Sequence, residues 1–238
     1  MAAVTLAVGD AVITFLWVFF VSCMGAATSV VAAYLNVEGA WQLGITTALL
    51  FVMVFVFSWL GDAMGGVSWN PTMLSAAFAL GSSKDSLFGM ALRFPAQAAG
   101  AVGGALAIME LMPPPYKHML GGPSLKVELH RGAVAEGVLT FFISFMVLLI
   151  IAKGPKSSFL KSWLISLVTI ALVLAGSPYT GPSMNPANAF GWAYVNNRHN
   201  TWEQFYVYWI TPFIGSILAA WFFRVFFSPD SSKKEKKA

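Results

Sequence analysis

Apolar residues along this chain fall in long unbroken blocks rather than in alternation. Five blocks of 16 to 25 residues are plain: Ala11–Leu35, Trp41–Gly61, Gly137–Ala152, Ser162–Ser177 and Gln204–Phe223. A sixth, Phe94–Met109, is short alone and is extended by Leu87–Leu92. A helix that crosses a bilayer needs about 20 apolar residues, so the pattern predicts six spanning helices. The strands of an outer-membrane barrel would alternate apolar and polar positions, and these blocks do not. No Lys or Arg precedes the first block, which is too long for the apolar core of a leader peptide.

Two shorter apolar stretches fall outside this count. Met73–Leu80 follows Asn70-Pro71, and Ala187–Val195 follows Asn185-Pro186. Neither is long enough to span. In each, Pro takes the first helical position and Asn stands ahead of it as a cap. They read as half-helices that begin at membrane depth. Irregular backbone at that depth is tolerated only inside protein or along a water-filled cavity. Two such elements imply a cavity between them.

Composition agrees. The chain is 58% apolar and 10% charged, with a mean hydropathy of +0.71. Soluble domains carry about 25% charged residues, so a soluble globule, a disordered chain and a disulfide scaffold are all excluded; Cys23 is the single cysteine and reads as a small residue packed in the core. Loops carry the turn residues, notably Pro113-Pro114-Pro115, Gly121-Gly122-Pro123 and Lys153-Gly154-Pro155-Lys156. With six spans, ten of the 14 Lys and Arg residues fall on one side. They are Lys84, Arg93, Lys153, Lys156, Lys161, Arg224, Lys233, Lys234, Lys236 and Lys237. Lys117, Lys126, Arg131 and Arg198 fall on the other. The bias places both termini in the cytosol. It also accounts for the basic balance without a nucleic-acid partner.

The two halves resemble each other. Asp10-Ala-Val-Ile-Thr14-Phe15 matches Glu136-Gly-Val-Leu-Thr140-Phe141. Asn70-Pro71 recurs 115 positions later as Asn185-Pro186, and at the same offset Gly100 pairs with Gly215 and Gln97 with Pro212. Three spans per half is an odd number, so the second half is inverted in the membrane. Such repeats put the functional site near the midplane, where they meet. Two half-helices entering from opposite faces meet N-terminus to N-terminus. Each end carries about half a positive charge, and together they oppose a cation. The Asn70 and Asn185 amides donate hydrogen bonds to a passing water oxygen. A water so held cannot donate to both neighbours in a file, which interrupts a proton wire.

These residues resemble the aquaporins, the major intrinsic protein family. The two Asn-Pro-Ala boxes of that family appear as Asn70-Pro71-Thr72 and Asn185-Pro186-Ala187. Its third-helix pattern appears as Ala96-Gln97 with Gly100-Ala101 and Gly104, and its sixth-helix pattern as Pro212-Phe213-Ile214-Gly215 with Ala219-Ala220. The likeness runs from Asp10 to about Phe223. Thr72 in place of Ala, the short N-terminus and the Lys-rich tail resemble the first subgroup of the plant small basic intrinsic proteins. The resemblance implies an all-α integral membrane fold, an hourglass of six spanning helices and two re-entrant half-helices. Residues 1–227 would form one channel domain, with repeats at about 7–110 and 131–227, and 228–238 a basic cytosolic tail. It also implies a homotetramer with one pore per subunit, passive water flow, no cofactor, and residence in the endoplasmic reticulum.

By spacing from the boxes, the narrow filter of that family falls on Leu50, Val173, Pro182 and Asn188. Water-selective relatives usually carry an aromatic, a His, a small residue and an Arg there. With Val173 and Asn188 in the last-named His and Arg places, the filter would be less polar and a weaker cation barrier. Asp10 and Glu136 read either as supports for the re-entrant loops, the role the family gives them, or as solvated helix ends. Thr72 either alters the packing of the first half-helix or is neutral. The glycines of the third and sixth helices suit close helix packing. His118, His130 and His199 read as ordinary residues of non-cytosolic loops. Trp41, Trp163, Trp192 and Trp202 suit an interfacial belt, and Trp69 packs beside the first box. The tail Lys233–Ala238 has three readings: a solubilising end, a contact for anionic lipid, or a dilysine retrieval signal at Lys234 and Lys236. The sequence therefore predicts a passive channel for water and other small neutral solutes. Alternatives are a neutral cargo other than water, or a poorly conducting structural partner in the reticulum. Nothing in it suggests a nucleophile–base pair or a metal cluster.

Overall fold

A computed structural model describes residues 2–227; the two lysines of the retrieval reading, Lys234 and Lys236, lie outside the described residues. The described residues form helices joined by loops, with no strand among them. Helices α1 (Ala2–Ser22) and α2 (Met24–Leu35) form one apolar rod with a break at Cys23. They are followed by α3 (Ala40–Ala63), α4 (Pro71–Leu80) and α5 (Leu87–Leu111). A short 3₁₀ turn at Pro114–Met119 interrupts the loop expected to be irregular. Then come α6 (Leu129–Lys153), α7 (Ser158–Gly176) and α8 (Pro186–Val195). The last rod is α9 (Trp202–Phe205), a π-helical segment (Tyr206–Ile210) and α10 (Thr211–Phe227). Six of these rods are long and apolar enough to cross a membrane. The fold is an all-α integral membrane protein.

The helices overrun the apolar blocks. Helix α6 begins at Leu129 rather than at Gly137, and α1 begins at Ala2 rather than at Ala11. In both, the apolar block stops at a carboxylate, Glu136 or Asp10, but each of these is fully buried and bonded inside the protein. A satisfied carboxylate does not end a helix. The same holds for Arg93, which reads as a cytosolic loop charge in the sequence. It lies within α5 at 2% exposure, so it does not count toward the orientation bias. His130 likewise belongs to the first turn of α6 and not to a loop.

The burial pattern is the reverse of a soluble protein. Asp10, Thr14, Gln97, Glu136, Thr140 and Ser144 are 0% exposed, whereas Trp41, Trp59 and Val225 are 73%, 64% and 75% exposed. Polar side chains face inward and large apolar ones face outward, as lipid requires. Lipid gives no hydrophobic drive between helices, so close backbone contact must supply the packing. Glycines provide it. A Cβ on Gly100 or Gly104 would run into the carbonyl oxygen of Ala11 or Phe15 on α1. A Cβ on Gly215 of α10 would meet the Gly137 carbonyl oxygen of α6 in the same way. Gly100 and Gly215, and Ala11 and Gly137, are equivalent positions of the two halves.

Candidate functional site

The N-termini of α4 and α8 meet. Asn70 and Asn185 both cap their helices from an extended backbone (φ −140° and −145°), and Pro takes the first helical position of each. Asn70 Oδ1 accepts from Thr72 N at 3.0 Å, and Asn185 Oδ1 accepts from Ala187 N at 3.1 Å and Asn188 N at 3.4 Å. The amide nitrogens cross between the loops. Asn70 Nδ2 donates to the Met184 carbonyl at 3.0 Å, and Asn185 Nδ2 donates to the Trp69 carbonyl at 2.9 Å. Each amide keeps one hydrogen beyond this exchange. The two helix ends thus lock to each other by reciprocal bonds, with both positive ends pointed at one place.

The loops leading into the two helices are held from behind. Ser68 N donates to Asp10 Oδ1 at 2.8 Å. Ser183 N and Met184 N donate to the two oxygens of Glu136 at 2.8 and 3.1 Å, and Thr180 Oγ1 donates to Glu136 at 3.2 Å. Ser68 and Ser183 each also donate their hydroxyl to the backbone oxygen of the capping Asn. The halves differ in how the carboxylate is neutralised. Asp10 receives two bonds from Arg93 and one from Gln97, while Arg93 also reaches the Gly66 carbonyl and Asp85. Tyr208 holds the equivalent place in the second half and donates to the Thr180 carbonyl at 3.2 Å. The π-helical segment that contains Tyr208 widens the backbone there.

Met184 sits at the centre of this exchange with φ +50°, a backbone state that costs a residue with a side chain about 1 kcal/mol or more. Its N–H is bound by Glu136 and its carbonyl by Asn70. The strain is compensated on both sides of the peptide.

Three of the four expected filter positions gather around this loop. Val173 packs on the cluster of Leu139, Ile143 and Met184. Pro182 lies against Gly176, the last residue of α7. Asn188 donates from Nδ2 to Ser183 Oγ at 3.2 Å, and its Oδ1 is buried without a partner. Leu50 is buried on α3, whose neighbour Phe51 packs edge-on against Trp163 of α7. Trp69 stacks on Trp17 at 4.9 Å and meets Phe57 edge-on, so it props the first box from α1 and α3.

Sequence reading missed Arg93 and Tyr208. A signal for Arg93 exists: it precedes Gln97 by one helical turn on the same face of a spanning helix. A cation in such a place needs a buried anion from elsewhere, and Asp10 is the candidate. No comparable signal marks Tyr208, whose bond is to a backbone carbonyl.

The family described as major intrinsic protein matches residues 2–223. Aquaporin SIP1-2 of Zea mays is 63% identical over 238 residues, covering 99% of this chain and 98% of the relative. Aquaporin SIP1-1 of Oryza sativa subsp. japonica is 62% identical over 244 residues, covering 100% and 99%. Aquaporin SIP1-1 of Arabidopsis thaliana is 48% identical over 242 residues, covering all of both chains. The solved aquaglyceroporin of Plasmodium falciparum has a TM-score of 0.70 at 17% identity, over 93% of this chain and 95% of that one, a likeness of fold.

Proposed function

Because this chain belongs to the major intrinsic protein family, and so is a membrane channel and not an enzyme, we propose that it passes water passively across an intracellular membrane. The observation that carries this reading is the reciprocal exchange of Asn70 and Asn185 between the two loops. Each amide presents its remaining hydrogen to a water oxygen where the two half-helix ends converge. The water turns there, and it cannot pass a proton along the file. The converging helix ends oppose cations. Asp10 and Glu136 hold the loops that carry the two boxes, and the pore narrows at Leu50, Val173, Pro182 and Asn188. A homotetramer with one pore per subunit follows from the family resemblance. Residence in the endoplasmic reticulum, with both termini cytosolic, rests on the charge bias and on Lys234 and Lys236 as a retrieval signal. A variant with both lysines replaced by Ser that still stays in the reticulum counts against that signal.

The apolar character of Leu50, Val173 and Pro182 favours a second reading, in which a small neutral solute other than water is the main cargo. Stopped-flow osmotic shrinkage of proteoliposomes separates the two. Fast shrinkage with a low activation energy, lost in Pro186→Leu, supports the water pore. Shrinkage no faster than empty liposomes, from folded protein, overturns it and turns the assay to other solutes.

A further inference from the structure

We propose that the Thr72 hydroxyl is a positioning group that makes Asn70 a pure hydrogen-bond donor toward the pore. An amide oxygen has two lone pairs. At the second box both are filled by backbone: Asn185 Oδ1 takes Ala187 N and Asn188 N. The first box lacks the matching second bond. Met73 N, the equivalent of Asn188 N, turns to the Asn70 backbone carbonyl at 3.2 Å. The vacancy is filled from a side chain instead. Thr72 Oγ1 donates to Asn70 Oδ1 at 2.8 Å, shorter than the 3.0 Å bond from Thr72 N. The hydroxyl is 0% exposed and lies 3.4 Å from the Met184 carbonyl, so its shorter bond to Asn70 is the stronger use of its one hydrogen.

The consequence is chemical. With Oδ1 saturated, Asn70 can only donate to a water. With a free lone pair on Oδ1, the same amide could accept from a water as well as donate to one. A water between such groups keeps a direction along the file, which is what a proton wire needs. Ala187 has no hydroxyl and needs none, because α8 supplies two backbone donors. Thr72 is therefore a local replacement for a backbone bond that α4 spends elsewhere.

This inference rests on the reading of Asn70 as a pore residue. Its test uses the full chain with Thr72→Val, which keeps the shape and loses the hydroxyl, and Thr72→Ser, which keeps the hydroxyl. Proton flux into proteoliposomes is measured with an entrapped pH dye beside water flux by stopped flow. Proton flux is expected to rise about fivefold in Thr72→Val, the scale of one lost neutral hydrogen bond, with water flux within twofold (about) of wild type and Thr72→Ser unchanged. A merely structural role would lower water flux and leave proton exclusion intact. The Asn70 side-chain amide is followed in bilayers by ¹⁵N solid-state NMR. Its signal is expected to shift and broaden in Thr72→Val alone. Wild-type proton flux and an unaltered Asn70 signal in Thr72→Val overturn the inference. A wild-type chain that passes no water sinks the channel reading only, and the Asn70 signal then decides the bond by itself.

Discussion

The Arg93 guanidinium lies 2.7 Å from the Asp10 carboxylate, with the two side chains at 2% and 0% exposure. The pair explains how an Asp does in one half what a Glu does in the other. Glu136 is one methylene longer and reaches two loop N–H groups, those of Ser183 and Met184. Asp10 reaches one, that of Ser68. Arg93 and Gln97 bridge the remainder, donating onward to the carbonyls of Gly66 and Ser68. Arg93 also holds Asp85, so one side chain grips the chain both before and after α4.

Breaking this pair from one side leaves a buried charge alone. Arg93→Met is expected to cost about 3–5 kcal/mol, the usual penalty for removing one partner of a buried ion pair. Asp10→Asn combined with Arg93→Met is expected to cost clearly less than the sum of the single changes. Thermal unfolding of the purified protein in detergent, for wild type, both singles and the double, gives the coupling. Strict additivity would mean that the two residues do not act as a unit.

The glycine contacts give a second prediction. Gly100→Ala places a Cβ against the Ala11 carbonyl, where backbone cannot yield cheaply. Overpacking of this kind costs about 1–3 kcal/mol. Gly44→Ala on the exposed side of α3 meets nothing within 4 Å and is expected to be neutral for the isolated subunit. Equal unfolding midpoints for the two variants would argue that α1 and α5 do not pack through Gly100.

Much of this is legible in the sequence. Apolar blocks report on lipid contact directly, so the six spans stand out. Asn-Pro steps mark helix starts by local chemistry, and α4 and α8 begin at Pro71 and Pro186. Less legible was anything decided by pairing across the fold. Arg93 looks like a loop charge in one dimension, and Asp10 and Glu136 stand out as loop supports only through the family resemblance, because hydropathy counts a charge without its partner. The bond from Thr72 to Asn70 and the reach of Asn188 to Ser183 are local in sequence, and they depend on side-chain rotamers that residue type alone does not fix. The strained backbone of Met184 had no signal at all, since it arises from bonds to residues 48 and 114 positions away.

Asn188 offers a test of the proposed filter. Its Nδ2 is committed to Ser183 and its Oδ1 has no partner, so it brings an unfilled acceptor and no charge. Asn188→Arg introduces a permanent cation with up to five donors. The variant is expected to lower cation leak and to change the ratio of solute to water permeability, measured in the same proteoliposomes. Selectivity identical to wild type would remove residue 188 from the filter.

Stability at the N-terminal end of α6 depends on pH. Glu128 caps that helix, accepting from His130 N at 3.1 Å and Arg131 N at 3.3 Å. The His130 N–H above all, then that of Arg131, holds the carboxyl below its ordinary value. A depressed folded value fixes the sign. The cap stabilises the fold fully above the ordinary carboxylate range of about 4.3, and its contribution is lost as pH falls through the lowered folded value. The unfolding midpoint of wild type minus that of Glu128→Ala should therefore be largest near neutral pH and shrink in acid. Taking the difference cancels the titration of groups common to both proteins. A difference that grows as pH falls would mean that Glu128 does not cap α6 as a carboxylate.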